Sequence, residues 1–375
     1  MTQPLRIAII MAGGAGERFW PLSRRTRPKQ LLRLTRVDQS MLEEAVERIA
    51  PIVAREHIYV VTARHLVEPI REAATGLPPE NIIGEPCKRN TAGCLVYAAA
   101  VVQRRHGDEG RPITMAVLTA DHRIGEADLF RTTVETALAA AEQHGALVTL
   151  GIEPTRAETG YGYIEVAEGA NPCALEGAQP GAPEVYAVQH FREKPDAPTA
   201  ESYAASGRHF WNSGMFFWTM EAFLRELEQA TPAHAEAVRT IAEALAAGDD
   251  DAADRLFAAL NDISIDYALL ERARRVLVVR ARFPWDDVGA LDALARCLPA
   301  DEAGNVAVGD PLLIDTRNCM VYNEPGAEAI AVAAVGVEGL TIVVTRDGVL
   351  VMPRDRAQDV RSVVSELRRR GAPQL

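Results

Sequence analysis

The chain is poor in lysine, and its few cysteines form no recognisable pairing motif. Only Lys29, Lys88 and Lys194 occur among its 375 residues, although Lys and Arg together total 40. The cysteines number five, an odd count without a C-x-x-C pair, so neither a disulfide framework nor a zinc site is indicated. Because arginine is so strongly preferred, each lysine is expected to mark a position where a compact ammonium group is needed.

Long apolar runs and an overall positive charge are also absent. No stretch approaches the roughly 18 apolar residues that span a bilayer, and the apolar start lacks the cleavage region of a signal peptide. The net charge is -12, which argues against nucleic-acid and anionic-membrane partners, because both require a broad positive surface. With 48% hydrophobic residues and no disulfide signal, the composition predicts a globular, cytoplasmic protein.

The charge is distributed unevenly along the chain. The first 36 residues contain seven arginines and Lys29 but a single acidic residue, Glu17. A local cationic segment on an acidic protein predicts a site for a small phosphorylated ligand.

Apolar segments of strand length alternate with helical patterns through the first 300 residues. Strands are predicted at 6–11, 58–62, 81–84, 114–118 and 147–151, and helices at 41–49, 64–74, 91–106 and 126–144. This alternation predicts an α/β fold with a mostly parallel, Rossmann-like sheet that has helices on both faces. Ligands are then expected at the carboxyl ends of the strands.

The pattern changes after about Leu298. Short Val-rich segments with Gly and Asp turns between 305 and 352 predict a small β-rich, β-helix-like module. A final helix at 355–370 places Val360, Val364 and Leu367 on one face, which is expected to dock against the rest of the chain. We therefore expect one domain at 1–298 and a second unit at 299–375.

A glycine-rich loop follows the first strand and could hold a phosphate group. Its backbone can approach phosphate oxygens closely because glycine has no Cβ atom. Neither familiar phosphate motif fits, since Phe19 stands where the dinucleotide fingerprint needs glycine, and Arg18-Phe19 where the P-loop needs Gly-Lys. The loop residues are Ala12, Gly13, Gly14 and Gly16, followed by Arg18 and then by Pro28-Lys29-Gln30.

Two carboxylates at distant strand ends suggest a magnesium site. Asp121 follows the strand at 114–118, and Asp287 lies in the string Pro-Trp-Asp-Asp-Val-Gly. No histidine stands at metal-binding spacing from them, and oxygen ligands suit Mg²⁺, which keeps water and substrate phosphates as its other ligands.

These strings together resemble the signature of the sugar-1-phosphate nucleotidyltransferases. The loop, the string Phe-Trp-Pro-Leu-Ser-Arg at 19–24 and Pro-Lys-Gln at 28–30 are most similar to the mannose-1-phosphate guanylyltransferase branch of that family. Six motifs in the family's order cover roughly residues 5 to 355. The resemblance departs from the family pattern at Lys88, where glycine is expected, at Gly93, where proline is expected, and at Asp286, where a small polar residue is expected.

The resemblance implies a role for each motif. Arg18 and Lys29 would be catalytic, and Asp121 and Asp287 would hold Mg²⁺ or another divalent cation. The nucleotide would be bound by Ala12, Gly13, Gly14, Gly16, Glu85, Asn90, Ala92 and Asp121. The sugar phosphate would be bound by Gly160, Tyr161, Gly162, Glu193, Lys194 and Asn212.

The implied reaction joins GTP and mannose-1-phosphate to give GDP-mannose and pyrophosphate by direct in-line displacement. One alternative is a sibling enzyme that uses glucose-1-phosphate with UTP or dTTP, or a manno-heptose-1-phosphate with GTP. A more distant alternative is a non-catalytic sensor of sugar nucleotides. No isomerase activity is expected, because the chain stops at Leu375 before the cupin domain of bifunctional members. The β-rich module is expected to support a homodimer.

Overall fold

The structure is a computed structural model that describes residues 3–36, 38–73, 75–192, 194–324 and 330–375. Glu193, one of the residues expected to bind sugar phosphate, lies outside these ranges. In the described ranges, no helix combines the length and the apolar character needed to cross a membrane.

The first 300 residues form a nine-stranded sheet with helices against it. The strands of the whole chain are β1 (Leu5–Met11), β2 (Ile58–Ala63), β3 (Ile82–Glu85), β4 (Ile113–Thr119), β5 (Arg123–Ile124), β6 (Leu147–Ile152), β7 (Tyr163–Val166), β8 (Val185–Arg192), β9 (His209–Thr219), β10 (Val276–Ala281), β11 (Trp285–Asp286), β12 (Val306–Val308), β13 (Leu312–Ile314), β14 (Met320–Asn323), β15 (Ala333–Val335), β16 (Leu340–Val344) and β17 (Val349–Pro353). The α-helices are α1 (Met41–Ile49), α2 (Val67–Glu72), α3 (Asn90–His106), α4 (Ala127–His144), α5 (Ala197–Ala205), α6 (Met220–Ala230), α7 (Pro232–Ala246), α8 (Asp250–Ala258), α9 (Leu294–Cys297) and α10 (Val360–Arg369).

The order of strands in the large sheet is β3-β2-β1-β4-β9-β6-β10-β8-β7. The first four strands are parallel and in the Rossmann order, which confirms the predicted α/β fold. The second half differs from the prediction of a mostly parallel sheet, because β7, β8 and β9 run antiparallel to their neighbours. The segment from β7 to β9 contains only the short helix α5, and parallel neighbours need longer helical crossovers.

Both faces of the sheet are buried, as β1 illustrates. Ile7 and Ile9 pack on the side of α3 and α7, whereas Ala8 and Ile10 pack on the side of α1 and α4, and all four side chains are fully buried. Two covered faces explain why the strand is continuously apolar from Ile7 to Met11.

The C-terminal module stacks its strands in parallel without intervening helices. Strand β14 pairs in parallel with β12 and β16, and β13 pairs in parallel with β15. Successive turns of chain thus lie on one another, as the predicted β-helix-like module requires, and β17 closes the stack by antiparallel pairing.

The module packs against the segment that follows the glycine-rich loop. A buried apolar cluster contains Phe19, Trp20 and Leu22 from this segment together with Val306, Met320, Val343, Leu350, Val360 and Val364. Ion pairs flank the cluster: Arg24 with Asp347, Arg27 with Glu324, and Arg368 with Glu17. Two of the eight cations of the first 36 residues, Arg24 and Arg27, therefore pair with the module and are not available to a ligand.

Candidate active site

The carboxyl edge of the sheet brings most of the motif residues together. The glycine-rich loop follows β1, Glu85 ends β3, and Asp121 follows β4. Because β9 is antiparallel to β4 and β6, its beginning, which carries Asn212, lies at the same edge. The Trp285–Asp287 segment follows β10 there as well.

The glycine-rich loop is shaped by its contact with Lys29. Gly16 has a φ of 64°, and a Cβ atom on it would lie 2.7 Å from the Cβ of Lys29. A side chain at position 16 is therefore excluded both by conformation and by space. The Ala12 carbonyl accepts hydrogen bonds from Gln30 Nε2 at 2.6 Å and Thr62 Oγ1 at 2.9 Å, which hold the base of the loop.

Lys29 lies at the centre of the site and is 6% exposed. Its ammonium group donates to Asp121 Oδ2 at 2.9 Å and to the backbone carbonyl of Asp287 at 2.8 Å. Burial alone would raise the pKa of Asp121, but the charge and hydrogen bond of Lys29 outweigh it, so the net pKa lies below its usual range. The Asp121 carboxylate is therefore ionised at neutral pH.

A short two-stranded ribbon carries the two metal-ligand candidates to one place. In the pairing of β5 with β11, Trp285 lies opposite Ile124 and Asp286 opposite Arg123, which fixes the Asp121 and Asp287 segments side by side.

The two neighbouring aspartates of this ribbon have different surroundings. Asp286 is 7% exposed, and its carboxylate accepts from Arg296 Nε and from the Val288 backbone N–H, both at 2.8 Å. Asp287 instead lines the cavity described below. The geometry thus favours Asp287 over Asp286 as a ligand.

The turn after Asp287 has an unusual backbone. Val288 has a φ of 47°, a conformation that β-branched residues rarely adopt, and Arg18 Nη1 donates to the Gly289 carbonyl at 2.8 Å. This hydrogen bond links the turn after Asp287 to Arg18, which follows the glycine-rich loop.

Tyr161 connects the expected sugar-binding loop to the same aspartate. Its hydroxyl donates to Asp287 Oδ1 at 2.7 Å, and its ring lies edge-on to Trp211 and Trp285. Burial and the negative charge of Asp287 raise the pKa of Tyr161, so the hydroxyl remains a donor. The structure thus places Tyr161 in contact with Asp287, one of the two candidate metal ligands.

The other candidates for sugar binding surround this loop. Gly160 N–H donates to Glu158 Oε1 at 3.0 Å, and the Gly162 carbonyl accepts from the Asn212 backbone N–H at 2.8 Å. The Asn212 side-chain amide donates to Asp266 at 2.8 Å. Lys194 is exposed just after β8, whose residue Arg192 is paired with Tyr163, so it lies at the same edge as the loop.

Glu85 faces the glycine-rich loop from the end of β3. Its Oε2 atom is 3.6 Å from where a Cβ on Gly13 would lie, and burial raises its pKa to about 7. Asn90 is exposed at the start of α3, and its side chain accepts from the Thr91 N–H. Ala92 is fully buried, and its N–H donates to Ile263. Glu85 is thus placed beside the loop, at Gly13.

A polar cavity of about 470 Å³ occupies this edge of the sheet. It is lined by Gly14, Ala15, Gly16, Glu17, Arg18, Phe19, Lys29, Lys88, Asp121, His122, Asp287, Gly289 and Arg361. Arg361 was not expected from the sequence. It belongs to α10, and nothing in the pattern distinguishes it from the other arginines of the chain.

The carboxylates suit a divalent cation. Asp121 and Asp287 each keep one carboxylate oxygen that Lys29 or Tyr161 does not use. No group of three or more His, Cys, Asp or Glu side chains is placed to hold a metal within the described ranges. Two protein oxygens supplemented by water and phosphate are the ligand set that Mg²⁺ accepts.

Comparison with known proteins agrees with this geometry. A Klebsiella pneumoniae protein named mannose-1-phosphate guanylyltransferase is 39% identical over 96% of this chain and 74% of its own length. The xanthan biosynthesis protein XanB of Xanthomonas campestris is 40% identical over 97% of this chain and 74% of its own. A crystal structure from Thermus thermophilus, described as a mannose-1-phosphate geranyltransferase, has a TM-score of 0.83 and 38% identity, covering 97% of this chain and 99% of that one.

Two family profiles match consecutive parts of the chain. The Nucleotidyl transferase profile matches residues 7–304, and the MannoseP isomerase/GMP-like beta-helix domain profile matches residues 309–367. The second match confirms the β-helix-like character expected of the C-terminal module. The chain therefore belongs to the nucleotidyl transferase family, within its mannose-1-phosphate guanylyltransferase branch.

Proposed function

We propose that this protein transfers GMP from GTP to mannose-1-phosphate, which gives GDP-mannose and pyrophosphate. The observation that carries the proposal is the position of Lys29, which bonds both Asp121 and the Asp287 backbone in a cavity walled by the glycine-rich loop. The names of the Klebsiella relative and its homologues support the choice of base and sugar.

The nucleophile needs no general base. The second pKa of a phosphate monoester is about 6, so a mannose-1-phosphate oxygen is already ionised at neutral pH. This oxygen attacks the α-phosphorus of GTP while the bond to the β-phosphate breaks, and pyrophosphate leaves with that electron pair. His122 is held neutral because burial lowers its pKa, and its Nδ1 accepts from Trp285, so it serves as a support for the site.

Catalysis of this kind depends on positioning and on charge stabilisation. The N–H groups of the loop and the cations Arg18 and Lys29 would bind the triphosphate and stabilise the charge that develops on it. Asp121 and Asp287 would hold a divalent cation, which supplies positive charge to the phosphates. Removal of one such charge is expected to lower turnover about 10² to 10³ fold.

The sugar phosphate would lie on the side of Tyr161 and Lys194, with the 160–162 loop and Asn212 near its hydroxyl groups. Glu193 is also proposed to bind the sugar phosphate. We further propose that the catalytic domain ends at residue 298, that the C-terminal module begins at 299, and that the module forms a homodimer. A sensor without catalysis is disfavoured because Arg18, Lys29, Asp121, Asp287 and Lys194 are all present.

A substrate panel tests the function. Purified protein with Mg²⁺ is offered GTP, UTP or dTTP, each with mannose-1-phosphate, glucose-1-phosphate or manno-heptose-1-phosphate, and pyrophosphate release is measured. The largest kcat/KM is expected for GTP with mannose-1-phosphate. A higher value for any other pair would reassign the substrate, and no release from any pair would support the sensor.

A pair of variants tests the site. Lys29→Ala is expected to lose most turnover without unfolding. Arg25→Ala removes an exposed cation from the same segment that does not line the cavity, so it should retain turnover within about twofold. Near-normal pyrophosphate release by Lys29→Ala would contradict the role of Lys29.

A further inference from the structure

The final helix α10 is fixed against the segment that follows the glycine-rich loop. Val360 and Val364 are 1% and 4% exposed, and they lie in one apolar cluster with Phe19 and Trp20. Trp20 Nε1 also donates to the backbone carbonyl of Gln374 at 3.0 Å. The beginning of the helix therefore has a defined position relative to the cavity.

Arg361 follows Val360 in this helix and lines the cavity with Gly14, Arg18 and Lys29. It comes close enough to affect the neighbouring guanidinium group: desolvation and the charge of Arg361 together lower the pKa of Arg18. Two cations thus repel each other at the wall of the cavity.

The position of Arg361 is unfavourable within the protein itself. The first turn of α10 contains no acidic residue that could pair with Arg361, and the preceding Asp359 is paired with Arg356. Within the described residues Arg361 makes no hydrogen bond or ion pair. Four other arginines of the C-terminal segment have carboxylate partners: Arg356 pairs with Asp359, Arg368 with Glu17, and Arg369 and Arg370 with Glu366.

A ligand with several negative charges would offset the repulsion between Arg18 and Arg361. Lys29 is already paired with Asp121, whereas Arg18 and Arg361 both lack a carboxylate partner among the described residues. A guanidinium group can bind a phosphate through two parallel hydrogen bonds. Two arginines can therefore bind two adjacent phosphates.

We propose that Arg361 binds the β- and γ-phosphates of GTP and the pyrophosphate that leaves. The C-terminal module thus contributes a binding residue to the polyphosphate site of the catalytic domain. The inference rests on the proposed function for the identity of the polyphosphate, whereas the cationic cavity itself does not depend on it.

Titration calorimetry with magnesium pyrophosphate tests the inference directly. Arg361→Ala is expected to weaken pyrophosphate binding about tenfold, which corresponds to about 1.4 kcal/mol. Arg369→Ala is the matched control, because it removes an exposed arginine of the same helix that pairs only with Glu366. It should bind within about twofold of the wild type. Equal affinities of Arg361→Ala and the wild type would overturn the inference.

Kinetics separate this inference from the proposed function. With Arg361→Ala, the KM values for GTP and, in the reverse direction, for pyrophosphate should rise about tenfold. The KM for mannose-1-phosphate should stay within about twofold, and a parallel rise in all three values would contradict a phosphate-specific role. A wild type without guanylyl transfer would refute the proposed function, while the pyrophosphate titration would still decide the role of Arg361.

Folding of the variants is checked by their thermal unfolding midpoints. Arg361 is exposed and without a protein partner in the described residues, and it repels Arg18, so its truncation should not lower the midpoint. Arg361→Gln retains most of the side chain and loses only the charge. It should show the same loss of pyrophosphate affinity as Arg361→Ala, and wild-type affinity in this variant would also overturn the inference.

Discussion

Single charged groups define the candidate site, and each has a specific set of protein neighbours. Lys29 is buried between two acceptors, and the ammonium group suits this space because it donates in several directions from one point. The scarcity of lysine therefore drew attention to a residue that lies in the cavity. Lys88 also lines the cavity, so a second lysine has a position that suits a phosphate contact.

Glu85 is the residue whose role should depend most strongly on pH. Burial raises its pKa from 4.5 to about 7 in the folded protein. Above pH 7 the folded protein must keep Glu85 as a buried carboxylate, whereas well below pH 4.5 the Glu85 carboxyl is protonated in both the folded and the unfolded protein. Stability should therefore fall as pH rises from 4.5 to 7. Glu85→Gln should be more stable than the wild type at pH 8, by up to about 3 kcal/mol, and of nearly equal stability at pH 4.5, as measured by urea unfolding.

The same variant also tests base recognition. The N1–H and N2 amino groups of guanine are donors, and an ionised Glu85 would accept from them. The KM for GTP of the wild type should therefore fall as pH rises through 7, while that of Glu85→Gln should remain high and show no such step. A step that persists in Glu85→Gln would assign it to another group.

At the scale of elements, the glycine-rich loop is folded by contacts that its own pattern does not contain. The strand β1 and the loop after it were predictable, because a strand buried on both faces is continuously apolar. The positions of the three glycines are not equivalent, however. Gly16 is required by Lys29, thirteen residues further on, whereas a Cβ atom on Gly14 would meet nothing within 4 Å.

Alanine at these two glycines should have opposite effects on stability. Gly16→Ala forces a positive φ on alanine and drives its Cβ into Lys29, so a loss of about 2 to 4 kcal/mol is expected. Gly14→Ala has space and an ordinary φ, and it should be neutral or stabilising by up to about 1 kcal/mol. Denaturant unfolding midpoints measure both, and equal losses at the two positions would contradict the packing of Lys29 on Gly16.

The whole molecule is held together by a core that both parts of the chain share. The fold of each part follows from local patterns, since apolar runs indicate the strands and Gly and Asp turns indicate the module. The contact between the two parts does not follow from local patterns, because Phe19 and Val364 are 345 residues apart. Nothing in the sequence near either residue indicates that the two pack together. For the same reason the position of Arg361 in the cavity could not be predicted from the sequence. Nor could the ion pairs of Arg24 and Arg27 with the module, which make these arginines unavailable to a ligand.

A shared core predicts cooperative unfolding of the two parts. Differential scanning calorimetry of the wild type should show one transition with equal calorimetric and van't Hoff enthalpies. Val364→Asp places a charge in the shared cluster and is expected to separate the transition into two, whereas Val349→Asp changes a residue that is 59% exposed and should not. Two separate transitions in the wild type would show that the contact contributes little.

The contact between α10 and the segment at 17–22 also limits how such chains can be recombined. A chimera that joined the first 300 residues to an unrelated C-terminal module would keep every motif of the nucleotidyl transferase signature. It would nevertheless expose Phe19 and Trp20 and lose their partners Val360 and Val364. A working chimera would therefore need a C-terminal helix whose apolar side chains fit against Phe19 and Trp20.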